Sequence, residues 1–167
     1  MANTALEMGE YDLIVSMTDP KGIITYVNDI FCKFAEYEYS EVMGQPHNMI
    51  RHPEMPRAVF QLLWDRVKAG KPLFAFVKNK TKEDNYYWVK AFVYPIMENG
   101  QLTKIVSYRK KPNSFAINTI ESIYRDLLSY ENNHSPAESL AHLEKLLSEK
   151  GLSYDEMIDK LSLDESI

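Results

Sequence analysis

The chain has one cysteine, Cys32, in 167 residues. It cannot form an internal disulfide, and a reducing, cytoplasmic setting is expected. No apolar run approaches the ~18 residues needed to cross a bilayer. The N-terminus MANTALEMGEYD lacks the basic stretch and apolar run of a signal peptide. Any link to a membrane is therefore expected to run through a partner. Positive charge is also short: 19 Lys and Arg against 24 Asp and Glu leave −5, a balance that argues against nucleic-acid binding. The six glycines are scattered singly, so no glycine-rich loop cradles a phosphate. There is no G-x-S-x-G turn, and Cys32 stands among phenylalanines, a setting for a core thiol. His47 and His52 have no cysteine or second histidine pair to complete a tetrahedral metal set. No enzyme with catalytic residues of its own is expected.

What is present is an ordinary globular composition, 45% hydrophobic and 26% charged. The charge is unevenly spread. Residues 1–112 carry 15 Lys and Arg against 13 Asp and Glu, whereas residues 113–167 carry 4 against 11. This places a boundary near Lys110-Lys-Pro-Asn113. The expected organisation is a flexible N-terminus (1–10), a folded domain (11–110) and a helical extension (113–167).

The most unusual stretch is HNMIRHPEMP, residues 47–56, preceded by Pro46. It concentrates ionisable groups in a segment stiffened by three prolines. Residues before proline are pushed out of the α region, so the backbone is expected to stay extended through Met55. Pro56 is expected at the first helical position. Arg51 presents a planar fork suited to phosphate, or pairs with an acid such as Glu54. His52 titrates near neutrality and is able to follow a neighbouring charge.

Around this loop, Leu13–Thr18 and Ile23–Val27 flank the turn Asp-Pro-Lys-Gly22 as a hairpin. Asn28 opens a helix. Phe60, Leu63, Trp64 and Val67 recur at helical spacing up to about Ala69. Strands follow at Leu73–Lys78, Tyr86–Ile96 and Leu102–Arg109. Antiparallel hairpins with helices grouped on one side make an α+β domain. On the long strand both faces are apolar, so a terminal helix or another subunit must cover the second face. Phe31, Phe34, Phe60 and Trp64 form either the core or the wall of a pocket. The tail has helical patterns from Phe115, after Ser135 and after Ser153, the last two with capping-box signatures.

GQPHNMIRHPEMP (44–56), VKNKTKEDNYYWVKAFVYP (77–95) and TDPKGIITYVNDIF (18–31) together resemble the flavin-binding PAS domain of aerotaxis receptors. The resemblance covers roughly residues 11–110. It implies a PAS fold: a five-stranded antiparallel sheet with helices cradling a cofactor, here FAD, whose redox state is the signal. By position it implies cofactor contacts from Asn28, Arg51, His52, Glu54, Trp64 and Asn79. Glu54 stands where the family more often has aspartate, and Leu73 where tryptophan is frequent. The implied role is that of a soluble PAS component of a bipartite energy-taxis system. Its partner would be a membrane-bound, methyl-accepting chemoreceptor, and a homodimer is compatible with the pattern. Without a cysteine in NMIRHP, redox sensing is expected rather than photochemistry. Two alternatives stay open: a haem-binding gas sensor using His47 or His52, and a cofactor-free interaction module.

Overall fold

In a computed structural model of the chain, residues 3–163 and 167 are described. Five strands form one antiparallel sheet: β1 (Ile14–Thr18), β2 (Ile24–Val27), β3 (Leu73–Lys80), β4 (Tyr86–Glu98) and β5 (Gln101–Lys110). Their spatial order is β2-β1-β5-β4-β3. The sheet is closed in sequence by β5, which inserts between the two hairpins, antiparallel to both β1 and β4.

Between the hairpins run α1 (Asp29–Ala35), α2 (Tyr39–Val42), a 3₁₀ turn (His47–Ile50) and α3 (Arg57–Lys68). The loop of residues 47–56 is thus less extended than expected. Its first four residues coil because none of them precedes a proline, and the restriction acts only at His52 and Met55. Pro56 is the extended residue just before α3 rather than its first helical residue.

Three further helices complete the chain: α4 (Ser114–Tyr130), α5 (Pro136–Ser148) and α6 (Tyr154–Ser162). The Ser135–Glu138 capping box forms with Pro136 at its start, and Ser153 caps α6. These helices wrap the β3 edge, which would otherwise be an open template for strand pairing. Tyr124 of α4 and Tyr154 of α6 donate hydroxyls to the carbonyls of Phe76 and Phe74, at 2.6 and 2.9 Å. Trp88 stacks on Tyr124.

Glu131, at the end of α4, is buried and reaches α3. Its carboxylate accepts from the amides of Arg57 (2.7 Å) and Ala58 (3.0 Å) and from the Ser139 hydroxyl (2.7 Å). Pro56 has no side chain able to cap α3, so Glu131 supplies the cap from 73 residues away.

The second sheet face is therefore covered on the β3 side by helices of the same chain. Beyond them a row of rings in contact, Phe74 stacked on Phe92 and Tyr94 stacked on Tyr108, runs across β3, β4 and β5, with Phe74 and Tyr108 exposed.

The N-terminal segment, expected to be flexible, is held instead. Asn3 and Leu6 donate backbone hydrogen bonds to Asp84 and Tyr86, and Met8 is buried. Residues 1 and 2 of that segment lie outside the described residues.

Candidate ligand-binding site

Strand alternation sends one side chain in two to the inner face. Most of that face is apolar: Val77, Val89, Ala91 and Val93. A polar strip interrupts it. Ser16 of β1 stands opposite Ser107 of β5, and Arg109 stands opposite Ala91 of β4. Asn79 of β3 stands opposite Tyr87. Over this strip, with the 3₁₀ turn and α3 as the other walls, lies a cavity of about 220 Å³. Phe60, Leu63 and Trp64 of α3 line it, with Pro46, His47, Asn48 and Arg51 from the loop. Its exposed lining residues, Lys21, Pro46 and Asn48, mark the mouth. Its buried ones, including Ser16, Asn79, Ser107 and Arg109, mark the floor.

The electrostatics of the cavity are one-sided. Lys21, Arg51 and Arg109 line it, and among the described residues no Asp or Glu does, although the chain as a whole is acidic. Arg109 is 5% exposed. Its Nη2 donates to Ser16 Oγ (2.9 Å) and to His47 Nε2 (2.5 Å), so Nε2 is the unprotonated nitrogen of that ring. Burial and the neighbouring guanidinium hold His47 well below its ordinary value, so it is neutral. Burial pushes Tyr87, next to Asn79, up to about 12. Three floor atoms, Asn79 Nδ2, Ser107 Oγ and Arg109 Nη1, are buried without a hydrogen-bond partner, as is the Tyr87 hydroxyl. Buried polar groups are normally satisfied, so orphans concentrated on one cavity floor fit a polar ligand edge.

The six residues singled out in the sequence divide. Arg51, Trp64 and Asn79 come together on the cavity. Arg51 is half-buried, with its guanidinium 3.9 Å from the Phe60 ring centroid, and its backbone bridges to Asn79. His52 does not join it, because successive residues of an extended segment point to opposite sides. The His52 ring lies against Tyr86, and its Nδ1 accepts from the Glu54 amide at 3.0 Å. Glu54 is exposed and pairs with Lys78 at 3.3 Å, away from the cavity.

Asn28 is also elsewhere. Its Oδ1 accepts from the amides of Phe31 and Val15, both at 3.1 Å, and its Nδ2 donates to the Leu13 carbonyl at 2.8 Å. It caps α1 and ties that helix to β1. Asn28→Ala is accordingly expected to cost about 2 kcal/mol of stability in urea unfolding, with the same loss whether or not a ligand is present. A ligand-contact role would give the reverse, weaker ligand binding at nearly unchanged stability.

Of the four candidate wall aromatics, Phe31 and Phe34 are core, and Phe60 and Trp64 are wall. Cys32 packs in the α1 core, where burial raises its thiol. Sequence reasoning missed Ser16, Ser107 and Arg109, and weighed His47 only as a metal or haem ligand. The available signal was polar residues at alternate positions of strands whose inner face is otherwise apolar.

A family model described as the PAS fold matches residues 24–109. The chain belongs to the PAS family. Within it, the chain is 38% identical over 114 residues to the aerotaxis receptor of Escherichia coli (strain K12), covering 68% of this chain and 22% of that protein. It is 23% identical over 97 residues to a nitrogen fixation regulatory protein of Klebsiella pneumoniae, covering 58% and 20%. The chain thus spans about a fifth of the length of these curated relatives. The light-state structure of the Aureochrome1 LOV blue-light photoreceptor superposes with a TM-score of 0.54 at 19% identity, covering 71% of this chain and 91% of that one. In this PAS domain the sheet, the 3₁₀ turn and α3 carry the cavity, while Glu131 at the end of α4 caps the helix that walls it. No helix among the described residues is long and apolar enough to cross a membrane.

Proposed function

We propose that this PAS domain is a cytoplasmic FAD-binding sensor of redox or energy state in taxis signalling. In this reading it relays the state of its ligand to a membrane-bound chemoreceptor. The observation that carries the reading is the cationic cavity, lined by no acid among the described residues, with Asn79 Nδ2, Ser107 Oγ and Arg109 Nη1 left without partners on its floor. Resemblance to aerotaxis receptors supplies the flavin, and 38% identity to one supports the taxis setting.

The residues present fit such a ligand. At about 220 Å³ the cavity lies below the ~300 Å³ where small-molecule sites usually begin, so it accepts a flat ring and not a whole dinucleotide. Asn79, Ser107 and Arg109 offer donors to a ring edge rich in acceptors, and Trp64 and Phe60 offer flat walls. Lys21 and Arg51 are suited to phosphates outside the ring pocket. When bound, the flavin supplies reversible electron acceptance. The chain's own part is to seat the ring, exclude water and register its charge.

The relay follows from α3, which carries Phe60 and Trp64 on one side and is capped by Glu131 of α4 on the other. A shift of the ligand-side wall alters the geometry of that cap, and so biases the terminal helices that would meet the chemoreceptor. The exposed aromatic row leaves apolar surface for that partner or for a second copy.

The absorption spectrum of the purified chain, with identification of the released ligand, tests the reading. A two-banded near-ultraviolet and blue spectrum bleached by reductant, with FAD released, is the expected result. A colourless protein that takes up no added flavin overturns it. A single intense Soret band would favour haem, but His47 Nε2 is engaged by Arg109 and His52 does not line the cavity.

A further inference from the structure

Arg109 is a fully buried cation, 5% exposed, and among the described residues no carboxylate pairs with it. Its neighbours are neutral: His47 from the 3₁₀ turn, Ser16 from β1, Tyr87 from β4, and the Phe31 ring of α1 at 5.8 Å. The other cations on the cavity are Lys21 at the mouth and Arg51 over Phe60. Burial lowers Arg109 only to about 10, with Tyr87 opposing the shift, so the guanidinium stays charged at neutral pH. Structural cations this buried are ordinarily paired, because an isolated buried charge is costly. Arg109 also keeps one donor, Nη1, without a partner, beside the unpartnered hydroxyl of Ser107 on the same cavity floor.

We propose that Arg109 is the counter-charge for a ligand ring edge that becomes negative on reduction, so that this site takes up fewer protons than electrons. The inference rests on the flavin reading and deepens it. An external donor, dithionite in vitro or an electron carrier in the cell, gives two electrons to the ring. One proton from solvent accompanies them. The second proton that a free reduced flavin would take stays in solution, because the guanidinium already balances the remaining negative charge. His47 cannot supply that second proton, since its Nε2 is a hydrogen-bond acceptor toward Arg109 and the ring is neutral. The floor is thus set to receive charge instead of a proton, and signalling would follow the electrostatic change at Arg109, Ser16 and His47. Charge placed near the reacting ring is the means by which a protein sets such a cofactor's redox behaviour.

The test is proton uptake per two electrons in the full chain loaded with FAD. It is titrated with dithionite in weak buffer, acidic enough that free reduced FAD holds both protons. The unaltered chain and Arg109→Lys are expected to take up one proton, Arg109→Gln two. Lys90→Gln, which removes a cation from the opposite face of β4, over Phe74 and outside the cavity, is expected to leave the count at one. Two protons in the unaltered chain, or one in Arg109→Gln, overturns the assignment while leaving flavin binding in place. Failure of the unaltered chain to bind FAD at all overturns both. If Arg109→Gln does not fold, the count in the unaltered chain decides by itself.

Discussion

Glu131→Ala is expected to destabilise the protein by about 3–4 kcal/mol. The carboxylate is buried and accepts from three donors, the amides of Arg57 and Ala58 and the Ser139 hydroxyl, and it pairs with the Arg57 guanidinium at 3.6 Å. Truncation to alanine removes charge-assisted hydrogen bonds worth roughly 1.5–3 kcal/mol each and leaves the Ala58 amide and Ser139 hydroxyl buried and unpaired. Part of the loss is recovered because Arg57 is half exposed and turns to water. For a domain of this size each kcal/mol moves the midpoint by about 2–4 °C, so thermal unfolding followed by circular dichroism is expected to fall by on the order of 10 °C. Glu131→Gln preserves shape and one acceptor oxygen but turns a donor toward an amide, and is expected to lose about half as much. A shift within a degree of the unaltered protein would show that α3 needs no cap from the C-terminal helices, and the relay through Glu131 would lose its basis.

Asn79→Leu is expected to act with opposite signs on stability and on ligand affinity. The Asn79 side chain is 3% exposed, lines the cavity and keeps Nδ2 without a partner. Such an orphan costs about 1–3 kcal/mol. A leucine of similar size removes that cost, so the ligand-free protein is expected to gain about 1 kcal/mol in urea unfolding. The same change removes a donor from the floor and leaves a polar ligand edge unanswered. FAD affinity, measured by fluorescence titration, is expected to drop about 100-fold, or ~2.7 kcal/mol. Loss of stability together with unchanged affinity would mean that Asn79 serves the fold, through its neighbour Tyr87, and not the ligand. A residue that trades stability for binding is the ordinary signature of a functional site.

The sequence was most legible where a local rule acts alone. The hairpin turn at Asp-Pro-Lys-Gly22, the alternation of Tyr87, Val89, Ala91 and Val93, and the capping box at Ser135 all appear where their chemistry placed them. The 3₁₀ turn at His47–Ile50 was not legible, because proline restricts only the residue before it. The site was half legible. Arg51, Trp64 and Asn79 converge, but adjacency in sequence had suggested that His52 would accompany Arg51, and the extended backbone separates them. The Arg109–His47 contact joins residues 62 apart through a sheet order in which β5 crosses between β1 and β4. No local signal encodes that proximity. Asn28 shows the opposite case, a residue matched by position to a ligand role whose three hydrogen bonds are spent on a helix start and a strand.

The chain has two tryptophans, and the fold places them in different neighbourhoods. Trp64 faces the cavity, its ring close to Gly22, while Trp88 is stacked on Tyr124 beneath the C-terminal layer. Their emission therefore provides two built-in optical probes. Quenching of Trp64 follows occupancy, and Trp88 follows separation of α4 from the sheet. Replacing either with phenylalanine isolates the other, so the arrival of a ligand and the response of the helices are separately timed in one unlabelled protein.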